Sequence, residues 1–204
     1  GTLNKSEVNQ AVKTTNLSKQ LQVEATAATG AFGTRATDET ISLGRTDVYR
    51  IQAIYDSEDT STEATAPTLT VSDITGNFER GERIKGSISG ARGRLITTSS
   101  PLSYTLTLGA GADDFEEGET VTGVASGATA TIDTDGVTAG SKVITKDFDF
   151  DDGQRNNYYD ISRLVRKKDT NAPTGKLLVI YDYLSHGAGN FFSVDSYSSV
   201  SGQM

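Results

Sequence analysis

The chain has 204 residues, with 19 Lys plus Arg against 27 Asp plus Glu, a formal net charge of −8. That acidity argues against non-specific binding to nucleic acid, which runs on phosphate neutralisation by basic side chains. The lack of cysteine removes disulfides, thiolate catalysis and Cys-based metal sites. No apolar run reaches the roughly 18 residues that span a bilayer, and no signal-peptide pattern is seen, so no membrane association is expected. Ser and Thr number 48 and Gly 21, while hydrophobic residues make up 35%. This composition favours short strands and turns over helices.

Residues 1–20 are polar and weakly patterned. They read as an N-terminal arm, with a short helix open as an alternative because Val8 and Val12 are four apart. From Leu21, LQVEATAAT alternates apolar and polar residues, as a half-buried strand does. VYRIQAIYD (48–56) alternates again, the stretch 57–67 is an acidic loop, and TLTVSDI (68–74) is a further strand. After the middle region, SKVITKDFDFDDGQ (141–154) alternates up to a turn at Asp152-Gly153. NYYDISRLVRKK (157–168) has apolar residues at helical spacing but is short enough to be strand. KLLVIYDYL (176–184) has the length and branched content of a central strand, apolar on both faces, and FFSVDSY (191–197) reads as the last strand.

The middle, residues 74–140, contains an internal duplication. At a constant offset of 37, Phe78 matches Phe115, Gly81-Glu82 matches Gly118-Glu119, Gly86 matches Gly123, and Ser89-Gly90-Ala91 matches Ser126-Gly127-Ala128. One repeated unit is one supersecondary element. An aromatic anchor and a Gly-Glu turn lead into a short strand. The Ser-Gly-Ala step supplies a positive φ for a hairpin turn, and a second strand returns. PLSYTLTLG (101–109) links the copies, and the whole is expected to close a small barrel or two-hairpin module. The predicted fold is therefore all-β: a β-sandwich-like host domain, 21–73 plus 141–204, with the duplicated module at 74–140 inserted in it.

Residues able to carry chemistry are few. His186 is the only histidine, and a triad with Asp182 or Asp195 would depend on geometry that sequence does not give. Asp133-Thr134-Asp135-Gly136 and DFDFDDG (147–153) bring carboxylates together, but the first has Gly at position 4 and no Glu at position 12 of a calcium loop. In the second, alternation puts Asp147, Asp149 and Asp151 on one face, opposite Phe148 and Phe150. Asp113, Asp114, Glu116 and Glu117 share one acidic turn, whereas acid–base pairs need opposed positions. No phosphate-binding glycine motif is present. The expectation is no catalytic residue, no metal and no cofactor. Copy one of the repeat carries Arg80, Arg83, Lys85, Arg92 and Arg94 against Glu79 and Glu82. Copy two carries Glu116, Glu117 and Glu119 and no base. This contrast fits either attraction between hairpins or neighbouring chains or drift on solvated faces. Arg80, Arg83, Arg92 and Arg94 are the candidate interface residues, and Phe78, Gly81, Gly86, Phe115, Gly118 and Gly123 the structural determinants of the hairpins. RLVRKK (163–168) is a second basic stretch. A sugar-binding module, the alternative reading, would stack a ring on Tyr104, Tyr158, Tyr159 or Tyr183.

The unit F-x-x-G-E-x-[VI]-x-G-x-x-S-G-A at 78–91 and 115–128 resembles a hairpin module of tailed-phage virion proteins. FDFDDGQRNNYYDISRLV (148–165), with Pro173, LLVIYDYLSHGAG (177–189) and FFSVDSY (191–197), is similar to a block in large tail or baseplate proteins of contractile-tailed phages, cyanophages included. The resemblance covers roughly 40–197. It implies a virion structural protein of tail, baseplate or fibre attachment, assembled in the host cytoplasm as part of a longer protein. Its expected partners are other virion subunits or further copies of itself, with a glycan receptor as the alternative and neither nucleic acid nor a membrane.

Overall fold

In the computed structural model, residues 9–27, 33–106, 114–156 and 158–188 are described. The predicted strand at 191–197, Asp113 and Asp195 lie outside them. Thirteen strands are present among the described residues, with one 3-10 turn at Thr145–Asp147. The all-β expectation holds.

Two sheets face each other. One has the order β1 (Lys13–Val23), β13 (Leu177–His186), β3 (Val48–Asp56), β10 (Lys142–Val143), all antiparallel. The other has the order β11 (Phe148–Asp151), β12 (Arg163–Arg166), β2 (Thr40–Ser42). Val23, Ile54, Val179 and Tyr181 of the first sheet meet Ile41, Phe148 and Leu164 of the second in one core. This is the sandwich arrangement, two sheets burying one face each. The β13 strand is apolar on both sides, as its sequence requires. Leu177, Val179 and Tyr181 enter that core, while Leu178 and Ile180 pack with Ala53, Tyr55, Ala64, Ala66 and Ile96 on the reverse face.

The remaining strands, β4 (Thr68–Thr75), β5 (Arg83–Gly86), β6 (Arg92–Leu95), β7 (Leu102–Leu106), β8 (Thr120–Gly123) and β9 (Thr129–Thr138), form a closed barrel in the order β4-β7-β6-β5-β8-β9. Closure leaves no strand edge open. Leu69, Ile84, Leu95, Leu102, Tyr104, Val121 and Ile132 fill it, with Phe78 and Phe115 plugging its core. Copy one gives β5 and β6, copy two gives β8 and β9, and β5 pairs with β8 around Lys85 and Thr122. A pseudo-two-fold axis therefore runs between the copies.

Three expectations are corrected. Residues 13–20 are neither arm nor helix but most of β1, which pairs with β13 from Lys13 to Val23. The alternation is hidden there by a bulge between Asn16 and Lys19, where Ser18 takes φ 51°. Strand β4, whose residues 68–73 the sequence places in the host, closes the barrel. Of the two readings open for 157–168, strand is the one found, at Arg163–Arg166, with Tyr158 and Ile161 exposed. In DFDFDDG, Phe148 is buried but Phe150 is 37% exposed.

Candidate interaction surface

The repeat motif has a physical cause at each position. Glu82 is buried, and its carboxylate accepts from Glu79 N–H at 2.6 Å in its own copy. It also accepts from Ala125 N–H at 3.1 Å, Ser126 N–H at 3.0 Å and Ser126 Oγ at 2.9 Å in the other copy. Glu119 mirrors it, accepting from Glu116 N–H at 2.8 Å, Ile88 N–H at 2.8 Å, Ser89 N–H at 3.0 Å and Ser89 Oγ at 2.7 Å. Each carboxylate thus satisfies the turn of the opposite hairpin. Burial acts to raise the pKa of Glu119, but the bonds from Ser89, Glu116 and Ile88 outweigh it and hold the group below the ordinary glutamate value. A Cβ on Gly123 would lie 2.5 Å from Ser126 Oγ and 2.7 Å from Glu82 Oε2. A Cβ on Gly86 would strike the Glu119 carboxylate. Glycine stands at these two positions to leave room for the carboxylate. Gly81 and Gly118 take φ of +81° and +75° in the preceding turns, and Gly90 and Gly127 take +68° and +70° in the Ser-Gly-Ala turns, as the sequence predicts. Phe115 packs edge-on against Tyr104 at 5.1 Å.

Because Glu82 and Glu119 are buried and satisfied inside the barrel, neither contributes to the surface charge contrast that the sequence suggests. What remains outside is sharper. In the β5–β6 hairpin, Arg83 lies directly opposite Arg94, and Lys85 directly opposite Arg92. All four project outward, since Ile84, Gly86, Gly93 and Leu95 between them are buried. Arg83, Lys85 and Arg92 make no ion pair or side-chain hydrogen bond among the described residues. Like charges directly across a ladder are destabilising. Arg94 donates to Gly81 O at 2.5 Å. Burial, together with nearby Arg50 and Arg83, holds its pKa below the usual arginine value, against the pull of Asp182. Arg80, the fourth residue singled out from sequence, is elsewhere: it donates to Ser18 O and belongs to the joint between barrel and sheet. Lys85 takes its place on the face.

That joint is polar and buried. Asp182 on β13 is fully buried and accepts from Ser18 N–H at 2.7 Å, Gln52 Nε2 at 2.6 Å and Arg50 Nε at 2.6 Å. Ser18 Oγ in turn donates to Leu95 O of the barrel at 2.9 Å, and Thr105 Oγ1 to Gln52 Oε1 at 3.3 Å. The bulge that obscures β1 in the sequence is what turns Ser18 toward both partners.

The other candidates separate. Asp182 is committed to this joint, while His186 is exposed at the far end of β13 beside Gly187 O. Among the described residues no three His, Cys, Asp or Glu side chains are grouped to hold a metal ion. Asp151 is held by Arg155, which with Gly153 N–H lowers its pKa to about 2. Tyr104 is buried, so it offers no sugar platform, whereas Tyr158 and Tyr159 are 62% and 61% exposed. A cleft of about 630 Å³ lies where β3 meets the barrel, lined by Gln52, Tyr55, Tyr104, Leu106, Val137 and Lys146 among others. No helix among the described residues is long and apolar enough to cross a membrane. Comparison with family models, with curated proteins and with solved structures finds no match.

Proposed function

We propose that this chain is a structural association module of a phage virion, of tail, baseplate or fibre-attachment type, and that it works by docking to neighbouring subunits and not by catalysis. The observation that carries the reading is the β5–β6 face, where two cation pairs stand in direct cross-strand register and Arg83, Lys85 and Arg92 make no ion pair among the described residues. Such a face costs the isolated chain stability, and an anionic partner relieves that cost. The buried carboxylates support the same reading: Glu82, Glu119 and Asp182 are each saturated by backbone or side-chain donors, and so serve the frame. The virion assignment is supported by the sequence resemblance at 78–91, 115–128 and 148–197. Immunogold labelling tests it. An antibody raised against the chain is expected to decorate the tail or baseplate of particles made from the genome that encodes it. Particles that carry none of the chain would refute the assignment.

A second reading, a glycan-binding surface, has one observation in its favour: the exposure of Tyr158 and Tyr159, neighbours in sequence. Loss of glycan-array signal on changing both to alanine would support it, and an array without hits would remove it.

A further inference from the structure

The duplication supplies an internal control for the basic face. At the offset of 37, the four outward positions of β5 and β6, Arg83, Lys85, Arg92 and Arg94, correspond to Thr120, Thr122, Thr129 and Thr131 of β8 and β9. The cross-strand pairing is the same in both: Arg83 opposite Arg94 and Lys85 opposite Arg92 in copy one, Thr120 opposite Thr131 and Thr122 opposite Thr129 in copy two. Threonine is the residue a half-exposed strand favours, and opposed threonines support a ladder. A hairpin of this unit therefore folds with threonine at all four positions, and while Arg94 is tied to Gly81 O, Arg83, Lys85 and Arg92 answer to something outside the fold.

The counterpart is on the same barrel. In the closed order β4-β7-β6-β5-β8-β9, the pair β4–β9 lies across the barrel from β5–β6. There Asp73, Asp133 and Asp135 gather around the bend where Ser72 Oγ donates to Asp133. Glu116 and Glu117, both exposed, stand on the turn joined to this corner by the bond from Gly118 N–H to Ile132 O. None of these five carboxylates forms an ion pair among the described residues. One side of the barrel is thus cationic and the opposite side anionic.

We infer that the partner of the basic face is the acidic corner of a second copy of this chain, so that copies associate head to tail. Two unlike patches on opposite sides of one body make a heterologous contact, which propagates into a ring or a filament. The inference rests on the association reading and specifies its partner.

Sedimentation velocity of the full chain tests it. In low salt the wild type is expected to sediment faster as concentration rises, and to revert to monomer at about 0.5 M salt, where the screening length falls to a few ångströms. The triple variant Arg83→Thr, Lys85→Thr, Arg92→Thr is expected to stay monomeric, as is Glu116→Gln, Glu117→Gln, Asp135→Asn. Mixed in equal amounts, the two variants retain one complementary contact between them and are expected to form a 1:1 dimer and nothing larger. A wild type that remains monomeric, association indifferent to either variant, or a mixture without the dimer overturns the inference. So does a monomer that binds heparin through the same cations. Should the threonine variant fail to fold, the acidic-corner variant alone decides. The immunogold result is independent of all these outcomes, so the virion reading stands or falls separately.

Discussion

Glu82 and Ser126 belong to different copies of the repeat, 44 residues apart, and are joined by a 2.9 Å hydrogen bond that its two-fold mate, from Ser89 to Glu119, repeats at 2.7 Å. Each carboxylate is the anchor of the other hairpin's turn. Stability of the barrel therefore depends on both at once.

Replacing Glu82 by alanine removes the buried carboxylate that accepts the N–H groups of Glu79, Ala125 and Ser126 in a part-buried site. An unsatisfied buried donor costs about 1–3 kcal/mol and a part-buried one less, so a loss of about 2–3 kcal/mol in all is expected in urea unfolding. Glu119→Ala is expected to match it, since the sites are equivalent. A loss under about 1 kcal/mol for either would show that the turns are held by other means.

The depressed pKa of Glu119 makes a pH-dependent contribution. Its sign follows from linkage: the stabilisation is present above the unfolded-state value and fades as pH falls through the lower folded-state value. Unfolding midpoints are expected to drop from about pH 5 downward, and Glu119→Gln to flatten part of that dependence. Parallel pH curves for wild type and variant would contradict this account.

Gly123→Ala places a methyl group against Ser126 Oγ and Glu82 Oε2, and a cost of about 1–3 kcal/mol is expected from overpacking plus the disturbed carboxylate. Gly127→Ala meets no neighbour within 4 Å and suffers only the left-handed backbone at φ +70°, about 1–2 kcal/mol. Combining Gly123→Ala with Ser126→Ala separates the two causes. The serine removal is expected to relieve part of the crowding in a double-mutant cycle, whereas the Gly127 change is expected to add independently.

Burial lifts the Tyr104 phenol to about 12, with Asp114 adding to the effect. Here the folded-state value is the higher one. Its contribution is complete below the ordinary tyrosine range and is lost as pH rises from about 10 toward 12. Tyr104→Phe is expected to resist alkaline unfolding better than the wild type, by about 2 kcal/mol near pH 11.5, read by circular dichroism. Equal alkaline midpoints would rule this out.

Much of this architecture is readable from residue order, for reasons that differ by element. The duplication is visible because its glycines, carboxylates and apolar positions are fixed by local geometry that recurs unchanged. The partners of Glu82 and Glu119 are not visible, because matching copies shows that both carry a Glu and a Ser but not that each Glu serves the other copy's Ser. Strand β13 is legible since Leu177 to Tyr181 are buried on both faces. Strand β1 is not, since the bulge at Ser18 breaks its alternation and its reason lies in Asp182 and Leu95, far away in sequence. The cations were countable, but their direct opposition required the register of β5 on β6. Arg80 is close to them in sequence but belongs in the structure with Ser18.

The crossed carboxylates carry a consequence for how such a body can arise. A polypeptide with a single copy of the motif holds an acid with no turn to brace and a turn with no acid to brace it. It can meet both needs only by clasping an identical chain about a two-fold axis. Tandem fusion ties that clasp into one molecule, frees the two halves to diverge, and lets one keep plain threonines while the other takes on charge.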